Sequence, residues 1–194
     1  MSILAASDGK VDWEDLGFLR LAAVSPELTL GDVGANVREI LRTAENLADQ
    51  GCRLITFPEL CLTGYSCGDL FHQSALQRAA LEGLDEVVRG SASLPAVIVV
   101  GLPFPWESRL YNVAAVICRG SVLGLVPKVA LPNSEEFYER RWFAPASTLA
   151  SDEVVIGEHR VPIGTDLVFD AVDVKDFSLG VEICEDLWTV TPPS

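Results

Sequence analysis

Apolar positions along the chain fall into short blocks, bounded by glycine, proline and acidic residues, and their spacing predicts the elements. Residues 18–24 read as a first strand. Val33, Val37, Ile40, Leu41, Ala44, Leu47 and Ala48 then recur at the helical period, with Asp32 placed to cap the helix and Gly51 to end it. Residues 54–57 predict a short strand that breaks at Pro58-Glu59, and Leu76, Ala80, Leu84 and Val87 keep helical spacing. The β-branched run at 95–101 predicts a strand buried on both faces, ending before the prolines at 103 and 105. Residues 111–119 and 122–126 flank Gly120-Ser121 as a hairpin, and 154–156 with 161–163 form a smaller one. Residues 128–148 carry prolines and aromatics and read as a functional loop, and 167–172 and 178–183 are the last predicted strands. Helices alternate with strands early and hairpins dominate later, which predicts an α/β layered domain with a mixed sheet.

Composition narrows the partners. Of 194 residues, 49% are hydrophobic, enough for one domain with a sizeable core. The net charge of −14 opposes binding to nucleic-acid phosphates or anionic membranes. The longest apolar candidate, 94–104, is interrupted by proline and glycine and is too short for a membrane span, and residues 1–10 lack the pattern of a secretory signal. Five cysteines without a CxxC pair, and two histidines far from zinc-ligand spacing, predict free thiols in a reducing, cytoplasmic setting and no metal.

The chemistry lies at three strand ends. Cys184 closes the run Phe177-Ser178-Leu179-Gly180-Val181-Glu182-Ile183, and Glu185, Asp186 and Trp188 follow at once. A thiol where a strand breaks toward a helix can stand clear of the sheet, with unbonded N–H groups beside it to meet an oxyanion. The charged pair Glu185-Asp186 argues against deep burial of the segment. Its reactivity needs a nearby cation to lower its pKa, and Lys128, after Pro127 at another strand end, can supply one. Glu59, in Phe57-Pro58-Glu59-Leu60, is the one acid between Gln50 and Gly68, so it stands among apolar neighbours where a carboxylate is useful for proton transfer. Each has an ordinary alternative: a cysteine packed in a core, a solvated lysine, a carboxylate capping local N–H groups. His72 and His159 are read as exposed loop residues, Cys61 and Cys67 as packing residues, and Trp142 and Phe143 as loop anchors.

Together, Phe57-Pro58-Glu59-Leu60 with Gly64-Tyr65, Pro127-Lys128 with Leu131-Pro132, and Glu182-Ile183-Cys184-Glu185-Asp186-Leu187-Trp188 resemble the nitrilase (carbon–nitrogen hydrolase) superfamily. The ending at Trp188 and the segment Glu136-Phe137-Tyr138-Glu139-Arg140-Arg141-Trp142-Phe143 are similar to its branch of glutaminase domains found at the N-terminus of glutamine-dependent NAD+ synthetases. The resemblance implies an α-β-β-α sandwich and a Glu-Lys-Cys triad: Glu59 as general base and acid, Lys128 as oxyanion stabiliser, Cys184 as nucleophile. It implies that Glu136, eight residues after Lys128, is the second glutamate of the family, and that Tyr65 and Glu185 contact glutamine. Ser134 stands where the branch often carries a tyrosine, a departure that bears on the substrate pocket.

The implied function is a glutamine amidohydrolase module that works through a cysteine thioester without a cofactor of its own. The ammonia would pass to a synthetase domain using ATP and deamido-NAD, in a homo-oligomer. Residues 1–17 are read as an N-terminal arm and 18–194 as the glutaminase domain. Ser194 comes ten residues after the nucleophile, so the expectation is a piece of a longer chain, poorly active alone, with apolar surface exposed and prone to self-association. Two rival readings remain: an amidase or carbamoylase of another branch, and a catalytically silent assembly module.

Overall fold

The computed structural model describes residues 16–193, so the arm expected at 1–17 lies almost wholly outside the described residues. The chain order is β1 (Leu21–Ala23), α1 (Val33–Asp49), β2 (Leu54–Thr56), α2 (Ser74–Gly90), β3 (Val97–Trp106), β4 (Arg109–Cys118), β5 (Ser121–Pro127), β6 (Glu153–Ile156), β7 (His159–Pro162), β8 (Phe169–Asp170) and β9 (Ser178–Leu179). Strands β1 to β5 lie side by side in chain order; β1, β2 and β3 are parallel, and β4 and β5 continue antiparallel. The result is the mixed α/β architecture that the strand and helix pattern implies.

Helix α1 is capped as expected, the Ala35 N–H donating to Asp32 Oδ1 at 2.9 Å, and it buries Val33, Val37, Ile40, Ala44 and Ala48. Those side chains share one core with Leu84 and Val87 of α2 and with Ile55, Ile98, Val100, Val113, Ala115 and Ile117 of the sheet. The other face of the sheet carries a second cluster of Leu54, Val99, Ala114, Val116, Val126 and Ile183, covered by Phe169, Phe177, Leu179 and Val181. Successive residues of β3 thus bury on opposite faces, which is why its sequence is continuously apolar.

Two expectations are corrected. Strand β3 does not end at Gly101 but runs through both prolines to Trp106. Phe57 and Leu62 donate their N–H groups to the Val99 and Gly101 carbonyls at 2.9 and 3.1 Å, so odd-numbered positions of β3 turn their backbone toward the β2 edge. Pro103 and Pro105 share that parity, and β2 pairs only as far as Val99. The missing N–H groups face an edge with no ladder to break. Glu107 and Ser108, both with positive φ, then turn the chain back into β4 as a two-residue hairpin. The strands expected at 167–172 and 178–183 shrink to the two-residue ladder of β8 and β9. The described residues place that ladder where the sandwich expectation puts a second sheet. Beyond it, Val168, Val172, Trp188 and Val190 are exposed.

Candidate active site

The sheet delivers three segments to one end. The first leaves β2 and folds over β3. Gly101 makes room for it, since a Cβ there would lie 2.3 Å from the Leu60 amide nitrogen and 2.9 Å from the Glu59 carbonyl carbon. The Gly101 N–H donates to Cys61 Sγ at 3.3 Å, Leu60 takes a positive φ of 54°, and Asn36 Nδ2 donates to the Leu62 carbonyl at 3.0 Å. Burial pushes the Cys61 thiol up to about 12, so it packs and does not react. Glu59 is thereby presented at the end of a rigid turn.

The second segment follows β5. The Lys128 N–H donates to the Asn112 carbonyl of β4 at 2.9 Å, and the Lys128 side chain is fully buried. Its Nζ donates to Glu59 Oε1 at 2.6 Å and to Glu139 Oε1 at 2.7 Å. Burial alone would lower the lysine pKa; Glu59 and Glu139 reverse that and hold it above its ordinary value. Two carboxylates around one ammonium leave a net negative charge, and burial pushes Glu139 up despite the pull of Lys128 and Tyr65. The ordinary alternative for Lys128, a solvated strand-end lysine, is excluded by this geometry.

The glutamate against Lys128 is therefore Glu139, not Glu136. Glu136 is exposed, whereas Glu139 is buried and also accepts the Tyr65 hydroxyl at 2.7 Å. The cause is local: the loop turns at 134–137, where the Phe137 N–H donates to the Ser134 carbonyl, and a second turn carries Glu139 inward, its N–H on the Pro132 carbonyl. Tyr65 sits edge-on to Phe137 with ring centroids 6.5 Å apart, so the residue expected to touch glutamine is the one that bonds Glu139. Asp69 ties the same two segments together, accepting from Arg141 at 2.6 and 2.8 Å and from Trp142 Nε1 at 3.0 Å. Trp142 and Phe143 pack on Phe71, as loop anchors do. His72 and His159 are exposed.

The third segment brings Cys184. Ile183 is extended, and Cys184 opens a short 3-10 turn, Cys184–Trp188, with a positive φ of 49°. A non-glycine residue in that region is strained, and the strain is held by what surrounds it. Asp186 does the holding. It is buried although its sequence neighbours suggested exposure, because its carboxylate accepts three backbone N–H groups: Val129 and Ala130 on Oδ1 at 3.0 and 2.7 Å, and Ile183 on Oδ2 at 3.2 Å. One side chain therefore locks the Lys128 loop to the cysteine turn.

Cys184 lines a cavity of about 100 Å³ together with Glu59, Asn112, Gly101 and Ile183. Its thiol is pushed up by partial burial and then by Glu59, with Lys128 pulling down and Glu139 and Glu185 adding to the rise. This reverses the expectation of a lowered pKa: Lys128 is present, but its charge is more than cancelled by its two carboxylates. The surroundings thus favour the protonated form of the thiol. Glu185 is half-buried beside it. Asn112, Glu139 and Asp186 were not singled out from sequence. The signal for Asn112 was available, an amide in the otherwise apolar run Leu110 to Cys118.

A mixed α/β sheet that gathers an acid–lysine–acid cluster around the buried Lys128 and an exposed, strained cysteine at one end defines the setting of a hydrolase. The chain belongs to the carbon-nitrogen hydrolase family, whose model matches residues 20–191. It is 46% identical over 178 residues to the glutamine-dependent NAD(+) synthetase of Mycobacterium tuberculosis, which covers 92% of this chain and 26% of that protein. A crystal structure of a glutamine-dependent NAD(+) synthetase from Cytophaga hutchinsonii matches with a TM-score of 0.78 at 29% identity, over 86% of this chain and 28% of the other. An amidase from Nesterenkonia shares the fold, with a TM-score of 0.57 at 23% identity over 73% of this chain and 53% of its own. The chain thus spans about a quarter of the length of the synthetases it matches.

Proposed function

We propose that this domain is the glutamine amidohydrolase part of a glutamine-dependent NAD+ synthetase, with Cys184 as nucleophile, Glu59 as base and Lys128 as oxyanion stabiliser. The observation that carries it is the pair of short bonds from the buried Lys128 Nζ to Glu59 and Glu139, beside a cysteine that shares a cavity with Glu59.

In this mechanism Glu59 takes the thiol proton as Cys184 attacks the side-chain amide carbon of glutamine. An ammonium has three N–H donors; Lys128 gives two to carboxylates and has a third for the oxyanion. Such a donor contributes about 3 to 4 kcal/mol to a transition state of this kind. Protonated Glu59 returns its proton to the departing nitrogen, which leaves as ammonia. Water, deprotonated by the same carboxylate, then cleaves the thioester to glutamate and free thiol. These residues need no cofactor for this half-reaction. The ammonia is consumed in a second domain that uses ATP and deamido-NAD.

The test uses the full-length protein. Cys184→Ala abolishes NAD formation from glutamine but leaves formation from added ammonium salt near the wild-type rate. Retained use of glutamine removes Cys184 as the nucleophile. A panel of other primary amides and carbamoyl compounds turned over faster than glutamine moves the domain to a different amidase branch.

A further inference from the structure

Asn112 sits at the crossing point of the site. Its backbone carbonyl accepts the Lys128 N–H at 2.9 Å, and its side-chain Nδ2 donates to Glu59 Oε1 at 2.5 Å. That is the oxygen Lys128 Nζ already holds at 2.6 Å. Two donors converge on one carboxylate oxygen and hold it in place, leaving Oε2 as the oxygen engaged by neither, on a side chain that lines the cavity it shares with Cys184. The amide is also kept at a cost. Asn112 is fully buried and its Oδ1 has no partner among the described residues, whereas an apolar side chain would suit the run Leu110 to Cys118. A buried, unpaired carbonyl costs about 1 to 3 kcal/mol, so the bond to Glu59 is what the residue supplies in return.

We propose that Asn112 is a positioning residue that, with Lys128, occupies Oε1 of Glu59 and so presents Oε2 as the base toward Cys184. The inference rests on the thiol-hydrolase reading of the site but not on glutamine as its substrate. It makes Asn112 act through Glu59. Removal of the neutral donor disfavours the ionised form of Glu59 and frees its carboxylate to rotate.

The test is acylation of Cys184 by p-nitrophenyl acetate in the full-length protein, read as the nitrophenolate burst across pH. The thiol of Cys184 attacks the ester carbonyl, nitrophenolate leaves and the acetyl thioester remains, so glutamine specificity plays no part. Asn112→Leu keeps the size and removes the bond. The expected result is a burst about 10- to 100-fold slower, because the base is misplaced, with its acidic limb moved to higher pH. Asn112→Asp keeps the shape and adds a negative charge against Oε1, so its acidic limb moves further up than in Asn112→Leu. In glutamine turnover, kcat falls while KM changes less than about threefold.

A burst in Asn112→Leu within twofold of wild type at every pH overturns the inference. So does a slowing by one constant factor with an unmoved acidic limb in both variants, which marks a purely structural residue. Asn112→Leu unfolding more readily than Asn112→Asp, with unmoved limbs, counts against it in the same way. A wild-type burst no greater than that of Cys184→Ala overturns both this inference and the thiol reading. A normal burst without glutamine turnover overturns only the choice of glutamine.

Discussion

Gly101 lies directly beneath the Leu60 amide, so close that a Cβ on it would stand 2.3 Å from that nitrogen. The atom in the way is backbone, and it belongs to the turn that presents Glu59. Gly101→Ala therefore lifts the turn off β3, breaking the bonds from the Gly101 N–H to Cys61 and from the Leu62 N–H to the Gly101 carbonyl. The expected stability loss in denaturant unfolding is about 1 to 3 kcal/mol, in the range for an overfilled site. Activity falls further, by at least about tenfold, because a small displacement of the base is enough. A folded Gly101→Ala protein with unchanged turnover contradicts the placement of Glu59 as base.

Glu59→Gln separates the charge of the acid from its chemistry. Burial and then Glu59 push the Cys184 thiol up, while Lys128 pulls it down. Glutamine removes one negative charge and leaves that of Lys128 less cancelled. The thiol of the variant therefore titrates at lower pH than in wild type, even though turnover is abolished. The rate of Cys184 alkylation by iodoacetamide, followed against pH, reads the difference. An upward move or none places Glu59 too far from the sulfur to be its base.

The sequence carried the three strand ends clearly, because each is marked by a change in covalent character: Pro58 before Glu59, Pro127 before Lys128, and acids straight after Cys184. What it hid is burial inside irregular chain. Glu135, Glu136 and Glu139 stand in a loop without periodicity, so spacing from Lys128 offered nothing physical to choose among them; two turns decide which points inward. Asp186 reads as solvated beside Glu185 because its three partners are backbone N–H groups, two of them on a distant loop. The length of β3 was readable in principle. Pro103 and Pro105 are two apart, and a strand tolerates prolines of one parity where its edge is open.

The Asp69–Arg141 pair gives the site an acid-sensitive fastening. The Arg141 guanidinium, with the Trp142 N–H, holds the Asp69 carboxyl well below its ordinary value of 3.8. A carboxylate whose folded pKa is depressed adds stability above its unfolded value and loses it as pH falls through the folded one. Asp69→Asn removes that contribution. The gap in thermal midpoint between wild type and variant is then largest from about pH 5 upward and closes toward strongly acidic pH. The gap is small, since both side chains are exposed. A gap that widens on acidification has the wrong sign for this pair.

Asp186 makes the strongest prediction about the thiol. Its carboxylate gathers the N–H groups of Val129, Ala130 and Ile183, and so joins the chain after Lys128 to the chain before Cys184. Asp186→Ala leaves those donors without an acceptor, each costing about 1 to 3 kcal/mol where it stays dry. Water reaching the exposed turn offsets part of this, so a total loss of about 2 to 4 kcal/mol is expected. The strained φ of Cys184 relaxes once Ile183 is released, and the sulfur leaves its place beside Glu59. Asp186→Asn keeps one oxygen for the Val129 and Ala130 donors but sets an amide N–H against that of Ile183. Its stability therefore lies between wild type and Asp186→Ala, while its turnover falls nearly as far. Denaturant unfolding and steady-state turnover of the three proteins check the order, and a stable Asp186→Ala with full activity shows that the cysteine turn holds its shape without the clamp.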